Sequence, residues 1–552
     1  LALLAQRNGV GYQKMKNIRT ITLYGIAGLL SVILLISIGL VQKRMNNIIV
    51  ENKLRDTELI KNAPPIITFT TIALGSFRGL LADLLWMRSI ALQDEGNYFE
   101  MVQLASWITK LQPKFTGATA FLAWNMAYNI SVTCSSFADR WKWVQRGIEL
   151  IRDEALVYNP SDPNLYRELG WIYQHKIGNI MDDANLYYKN NLAIEMMKVF
   201  GGPEPDWQAL AKAPKTLEEF QKKFPPKNRL WKVLKDSGYT SFDTFDVVFK
   251  AEGGLPEIFK KNLNDPQTAK ALENFLRSKW LREVYKLKPE KIIQINEKYG
   301  KLDWRLPESQ AIYWATMGLE CAPDHKDVQC KRMITQSLND AFQSGWLLMV
   351  DEKGYENNFI TIPNLNVVDS VRAIYEEAYQ EHQQTSFRSA LENFMKDAIV
   401  TMYNYGKYSK AKEYLEYLRK EYPNNKNYRS DLDSFAIKEW LEDVRDATLK
   451  QANNIVSGLI YRSCNFLVYG DINAAAAQER MARFVYRHYQ KEQADVKARM
   501  GLGNFKEIKS NIIKSCLKNW PPKLSTLLKA QLKTLENQKQ ENLKEETKKA
   551  EK

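Results

Sequence analysis

Three small groups of side chains in this chain have the types and spacing to do chemistry. The first is Cys321, His325 and Cys330, three metal-ligating residues within one short segment. Structural zinc sites pair two short cysteine arms, or one arm with a histidine pair, and no second pair lies near this one. The segment is therefore expected to be a loop with one polar histidine and either a local disulfide or two thiols. The other histidines, His175, His382 and His488, do not stand in a His-Glu-x-x-His arrangement. A nucleophile elbow and a phosphate-cradling glycine loop are also absent, and Glu252-Gly253-Gly254 is a loop breaker. No metal or cofactor is expected. The second group is acidic. Glu168, Asp182 and Asp183 lie among tyrosines and tryptophans, and two carboxylates facing each other across an aromatic cleft hydrolyse glycosides. On helix surfaces such acids are usually solvated, and the separation that decides the matter is set by the fold. The third group is aromatic and amide. Trp124, Asn125, Tyr128 and Asn129 put two amides one helical turn apart on one face, able either to bind a partner's backbone or to cap neighbouring helices. Asp139-Arg140-Trp141-Lys142-Trp143, with Arg146, interleaves basic and aromatic residues. Its two tryptophans lie about 200° apart on a helix, so one faces the core and the other meets a partner or a further packed layer.

The elements that must position these groups are helices. The chain has 552 residues, too long for one compact core, and only 26 Gly and 19 Pro, which disfavours a turn-rich β protein. Apolar residues recur at three- and four-residue spacing from residue 66 almost to the end, without convincing alternating strands. The net charge of +14 is spread along the chain with no nucleic-acid-binding motif, so no nucleic-acid partner is expected. Five cysteines, scattered from Cys134 to Cys516, make no disulfide framework.

Two segments share a pattern. Gly96-Asn97-Tyr98 is followed by Pro113, and Gly406-Lys407-Tyr408 by Pro423, at the same distance. Between these markers Met101, Ala105 and Ile108 match Ala411, Leu415 and Leu418. Glycine permits the turn, an apolar stripe follows, and proline stops the helix. Elsewhere Pro160, Ser161-Asp162-Pro163, Tyr166, Leu169-Gly170 and Tyr173 mark a helix start and one buried face, continued by Gly178, Ala184 and Tyr188; Gly470, Ala475 and Ala482 are a weaker echo. These stretches, around 82–113, 160–193 and 392–423, resemble tetratricopeptide repeats. The resemblance implies a helical solenoid with a concave groove that binds extended peptides, in which Asn125 and Asn129 would be peptide-binding residues.

From Thr20 to Gln42 no residue is charged, and as a helix this run would rise about 34 Å, enough for a hydrocarbon core of about 30 Å. Val41-Gln42-Lys43-Arg44 follows it in place of a small-x-small cleavage site, so an uncleaved signal-anchor is expected. The apolar stretch from Ile66 to Phe77 is too short to span and is expected to be the first buried helix of the body.

The expected architecture is all-α: a transmembrane helix followed by a degenerate tetratricopeptide-like solenoid with a helical insertion. Its parts are a basic leader (1–19), the anchor (20–42), a linker (43–65), helical repeats (66–200), an inserted helical subdomain (201–300), a second repeat region (301–520) and a charged tail (521–552). The expected function is that of a membrane-anchored scaffold or assembly factor, not an enzyme, with a protein or peptide partner and the body on the periplasmic side of a bacterial inner membrane. The second reading is a membrane-tethered carbohydrate-active enzyme, an α/α toroid with a carboxylate pair.

Overall fold

The computed structural model describes residues 29–34, 36–41, 43–44, 47, 77–323, 327–349, 359–405, 407–444, 449–492 and 502–550. It is all-α, an assembly of many packed helices. Among the described residues no helix is long and apolar enough to cross a membrane. The expected anchor at 20–42 lies in part outside them, and the leader and nearly all of the 43–65 linker lie outside them altogether. The chain divides into two compact units, residues 1–88 with 110–113, and residues 89–109 with 114–552. In the first, residues 29–34 and 36–41 are helical and exposed, and Ala82 is buried.

The larger unit carries the body. Helix α1 (Phe77–Asp94) runs into it and ends before Gly96, whose φ of 73° only glycine adopts freely. Helix α2 (Tyr98–Leu111) buries Met101, Leu104, Ala105 and Ile108. Helices α3 (116–133), α4 (137–158) and α5 (163–177) follow, and each contains one π-helical segment: Asn125–Ile130, Leu150–Ala155 and Ile172–Ile177. Their starts obey local rules. The Ser136 hydroxyl accepts from the Asp139 amide at the head of α4, and the Asp162 carboxylate accepts from the Asn164 amide, with Pro163 in the first turn of α5. Close packing of α4 on α3 rests on Gly147, where a β-carbon would lie 2.7 Å from the Ala123 carbonyl oxygen.

Helix α6 (Asn185–Phe200) leads into the segment expected to be an insertion. There α7 (Trp207–Lys212) packs through Trp207 on Phe200 and Trp304, while α8 (Leu217–Lys223), α9 (Arg229–Asp236), α10 (Phe242–Glu252), α11 (Glu257–Leu263) and α12 (Pro266–Glu283) gather around Phe220, Phe245, Phe249, Phe259 and Phe275, all fully buried. Arg277 of α12 fastens this group to α6. Its guanidinium donates to the carbonyls of Lys198 (2.6 Å), Val199 (3.1 Å) and Gly253 (3.0 Å), so one cation closes the C-terminal ends of α6 and α10.

After α13 (Pro289–Tyr299), helix α14 (Pro307–Cys321) is buried along its first ten residues, and α15 (Val328–Ser344) packs beside it. Gly170 of α5 and Gly318 of α14 sit at that crossing. A β-carbon at Gly170 would strike the Met333 sulfur of α15, and one at Gly318 would lie 2.9 Å from Cys330 Sγ. The partner that Gly170 admits is therefore α14 with α15, reached across the insertion, and not the helix next in sequence.

One element has no counterpart in the sequence reading, a two-stranded antiparallel sheet of β1 (Trp346–Met349) and β2 (Ile360–Ile362). The buried pair Asp303–Arg305 satisfies its edge: the Leu347 amide donates to Asp303 (3.0 Å) and Arg305 donates to the Leu347 carbonyl (2.8 Å). Then come α16 (Val368–His382), α17 (Thr385–Asn404) and α18 (Tyr408–Glu421), which buries Ala411, Tyr414, Leu415 and Leu418. The last helices are α19 (Leu432–Val444), α20 (Leu449–Val468), α21 (Ile472–Glu492), α22 (Phe505–Asn519) and α23 (Pro522–Ala550). Helix α23 begins at the head of the charged tail, and its Leu528 is buried in a cluster with Cys464, Phe466 and Cys516. Leu524, Leu532 and Leu535 pack against the same cluster from one face.

Candidate binding surface

Phe121, Trp124 and Tyr128 follow one another at three- and four-residue spacing on α3, so they share a face. Their rings stack in sequence, Phe121 on Trp124 at 6.4 Å and Trp124 on Tyr128 at 5.3 Å between centroids. The series crosses to α5, where His175 meets Tyr128 at 5.7 Å and lies flat on Trp171 at 4.7 Å. Five aromatic rings thus form one strip over two helices, and Phe121, Trp124 and Trp171 are exposed. Tyr128 and His175 both sit in π-helical segments, which bulge a helix and commonly mark functional positions.

The strip is held from behind by a buried cation. Lys176 lies 5.5 Å from the Tyr128 ring and 5.7 Å from the Tyr188 ring, and its ammonium bonds to Asp182 at 2.5 Å. Burial alone would push the Asp182 carboxyl up, but the Lys176 ammonium and the Ala184 amide hold it below the ordinary carboxylate range. Arg140 reaches Asp182 (3.4 Å) and Asp183 (2.5 Å). Burial, then the neighbouring Lys176, lowers the pKa of His175, so its ring is neutral near pH 7. Beside the strip a cavity of about 370 Å³ is lined by Phe121, Trp124, Asn164, Arg167 and Glu168 among others.

The predicted site residues divide. Asn125 is buried, and its amide exchanges hydrogen bonds with Gln93 of α1 (3.2 and 2.5 Å). Asn129 is exposed and donates to Asn125 (2.5 Å). Asn125 thus ties α3 to α1, while Asn129 stays at the surface next to Tyr128. The two tryptophans of α4 separate as their spacing requires: Trp141 is buried, and Trp143 is half-buried as a second layer against Tyr98 and Phe99 of α2.

The carboxylates of the alternative enzyme reading are drawn into ion pairs, Asp182 and Asp183 as above and Glu168 with Arg167 at 3.0 Å. The acids with raised pKa values lie elsewhere. Burial pushes Glu308, in the first turn of α14, up to about 7, and Asp340 of α15 up to about 6. Burial also lowers the pKa of Lys189, which faces both of them electrostatically. Nothing in their spacing marks these residues, which come from three separate helices. His325 lies outside the described residues, and Cys321 and Cys330 are free thiols.

Exposed aromatics concentrate in this part of the chain. Phe99, Trp107, Phe115, Phe121, Trp124 and Trp171 are all exposed between residues 99 and 186, together with Ile180 and Met181, each 80% exposed. Between residues 187 and 407, among the described residues, the exposed large apolar side chains are Val247, Ile258 and Val284. Comparison of the chain with protein-family models, with curated proteins and with solved structures returns no match.

Proposed function

We propose that this protein is a binding scaffold whose partner, a protein or peptide, docks on the aromatic surface of residues 99–186. The observation that carries this reading is the stacked strip of Phe121, Trp124, Tyr128, His175 and Trp171, three of them exposed, set against the scarcity of exposed large apolar side chains among the described residues of 187–407. Exposed patches of this kind mark interaction sites, and aromatic residues dominate the energetic centres of protein interfaces. Repeating helix pairs of tetratricopeptide type are the framework in this reading. Support comes from α2 and α18, which have equal length and bury the same offsets from their first residue. The uncharged run 20–42 is the membrane anchor, and the body lies on the periplasmic side of a bacterial inner membrane.

The test is affinity purification of the full-length protein from its native membrane, beside a Trp124→Ala/Trp171→Ala variant of unchanged helicity. A defined set of co-purifying proteins that the variant loses supports the reading, and an identical set from both contradicts it. The anchor is tested separately. The full chain should sediment with membranes, and a chain starting at residue 43 should stay in solution.

A second reading is carbohydrate binding with hydrolysis, favoured by one observation, that Trp124 and Glu168 line the same cavity. Release of reducing sugar from polysaccharide, lost in Glu168→Gln, would favour it over the scaffold.

A further inference from the structure

Cys464 of α20 and Cys516 of α22 are 52 positions apart in the chain, yet both are buried in one apolar cluster, 2% and 1% exposed. Helices α20 and α22 pack against each other there, which brings the two thiols into one buried cluster. Leu528 of α23 and the side chains of Leu524 and Trp520 close the same cluster. The two sulfurs are thus already neighbours, brought together by the packing of three helices.

We propose that Cys464 and Cys516 are a disulfide-forming pair that fastens α22, and with it α23, to α20 when the chain meets a disulfide oxidant. The inference does not depend on the proposed partner surface.

The contact raises the Cys464 thiol and lowers that of Cys516. The bridge closes by two exchange steps in which Cys516 ionises and attacks first, and the reverse order gives the same product. The Cys516 thiolate bonds to one sulfur of a small-molecule disulfide such as oxidised glutathione and expels the first glutathione thiolate. Cys464 then gives up its proton to solvent and attacks Cys516 Sγ, closing the bridge and expelling the second thiolate. Two protein thiols lose two electrons in total, and the oxidant is reduced to two thiols. Because both sulfurs are buried, α22 must lift locally before the oxidant can enter, so low urea should speed the reaction. A bridge closing so long a loop removes conformational freedom from the unfolded chain and raises the denaturation midpoint.

The experiment uses the full chain in lipid, incubated with oxidised glutathione, denatured, alkylated and mapped by peptide mass spectrometry. The expected result is a Cys464–Cys516 linked peptide, with Cys134, Cys321 and Cys330 still alkylated. The unfolding temperature should rise by several degrees, and a reductant should reverse the rise. Cys516→Ala should show no rise, and the wild-type peptide map stands even if that variant folds poorly. Full alkylation of both cysteines after oxidation, or a bridge that joins either of them to another cysteine, would overturn the proposal.

Discussion

In α2 the residues turned inward are Met101, Leu104, Ala105 and Ile108; in α18 the same offsets carry Ala411, Tyr414, Leu415 and Leu418. Outward, the two helices differ in kind. Helix α2 presents Phe99, which is 86% exposed, and Trp107. Helix α18 exposes one aromatic, Tyr408 in its first turn, and otherwise presents Lys410, which pairs with Glu413 at 3.0 Å, and Glu416, which pairs with Arg419 at 2.5 Å. The inward face sets how a helix packs and is held to apolar types by burial. The outward face is free of that demand, so its chemistry reports on use. A charged, internally paired face is at home in water, whereas an aromatic one loses free energy there unless something covers it.

The largest effect expected from breaking this comparison lies beneath the aromatic strip. Lys176→Ala removes the buried cation behind Tyr128 and leaves Asp182 with the longer Arg140 contact as its remaining cation, beside hydrogen bonds from the Ala184 amide and the Tyr188 hydroxyl. It should destabilise the body by about 3–5 kcal/mol, measured by urea melts. The charged face of α18 has no buried cation of its own, and Lys410→Leu there should change stability by no more than about 0.5 kcal/mol.

Between the two regions lies α14, and its acid sets a pH dependence. Glu308 binds its proton up to about pH 7 in the folded state, whereas an unfolded glutamate loses it near 4.5. The folded state therefore holds more protons between these values, and Glu308 makes stability fall as pH rises from about 4.5 to 7, then level off. The loss amounts to about 3 kcal/mol at most. Melts of Glu308→Gln across pH 4–8 should lack this slope, and an unchanged slope would assign it to another group.

Next in size is the packing phase of α18. Ala411 is fully buried, so Ala411→Leu should overpack the contact with α17 and cost about 1–3 kcal/mol. Lys410→Leu is the neighbouring control, and equal effects at the two positions would break the shared phase of α2 and α18. The smallest effect on stability belongs to the aromatic face itself. Phe99→Ser should shift stability by no more than about 0.5 kcal/mol, since that ring is almost wholly in water.

What was legible in the sequence follows from range. The phase of α2 and α18, the Asp162-Pro163 helix start and the division of Trp141 from Trp143 depend on spacing within a few turns, and the structure places them accordingly. Gly170 was recognisable as a point of close approach, but its partner, α14 with α15, lies beyond the insertion, and no local pattern names it. The strands Trp346–Met349 and Ile360–Ile362 are too short to show alternation, and a buried ion pair from residues 303 and 305 holds them. The leucines at 524, 528, 532 and 535 did carry a signal, a one-sided stripe that the surrounding Lys and Glu residues masked. The aromatic strip was half legible. Trp124 and Tyr128 stood out on one face, but their continuation through His175 and Trp171 exists only once α3 and α5 pack together.

The central claim is that the aromatic surface, and not the charged one, meets the partner. The direct measurement is photocrosslinking in native membranes from a photoreactive amino acid placed at Phe99 in one chain and at Lys412 in another, both exposed positions on α2 and α18. Discrete crosslinked species from position 99, with none from position 412, are predicted. Crosslinks confined to position 412, or equal at both, would contradict the account.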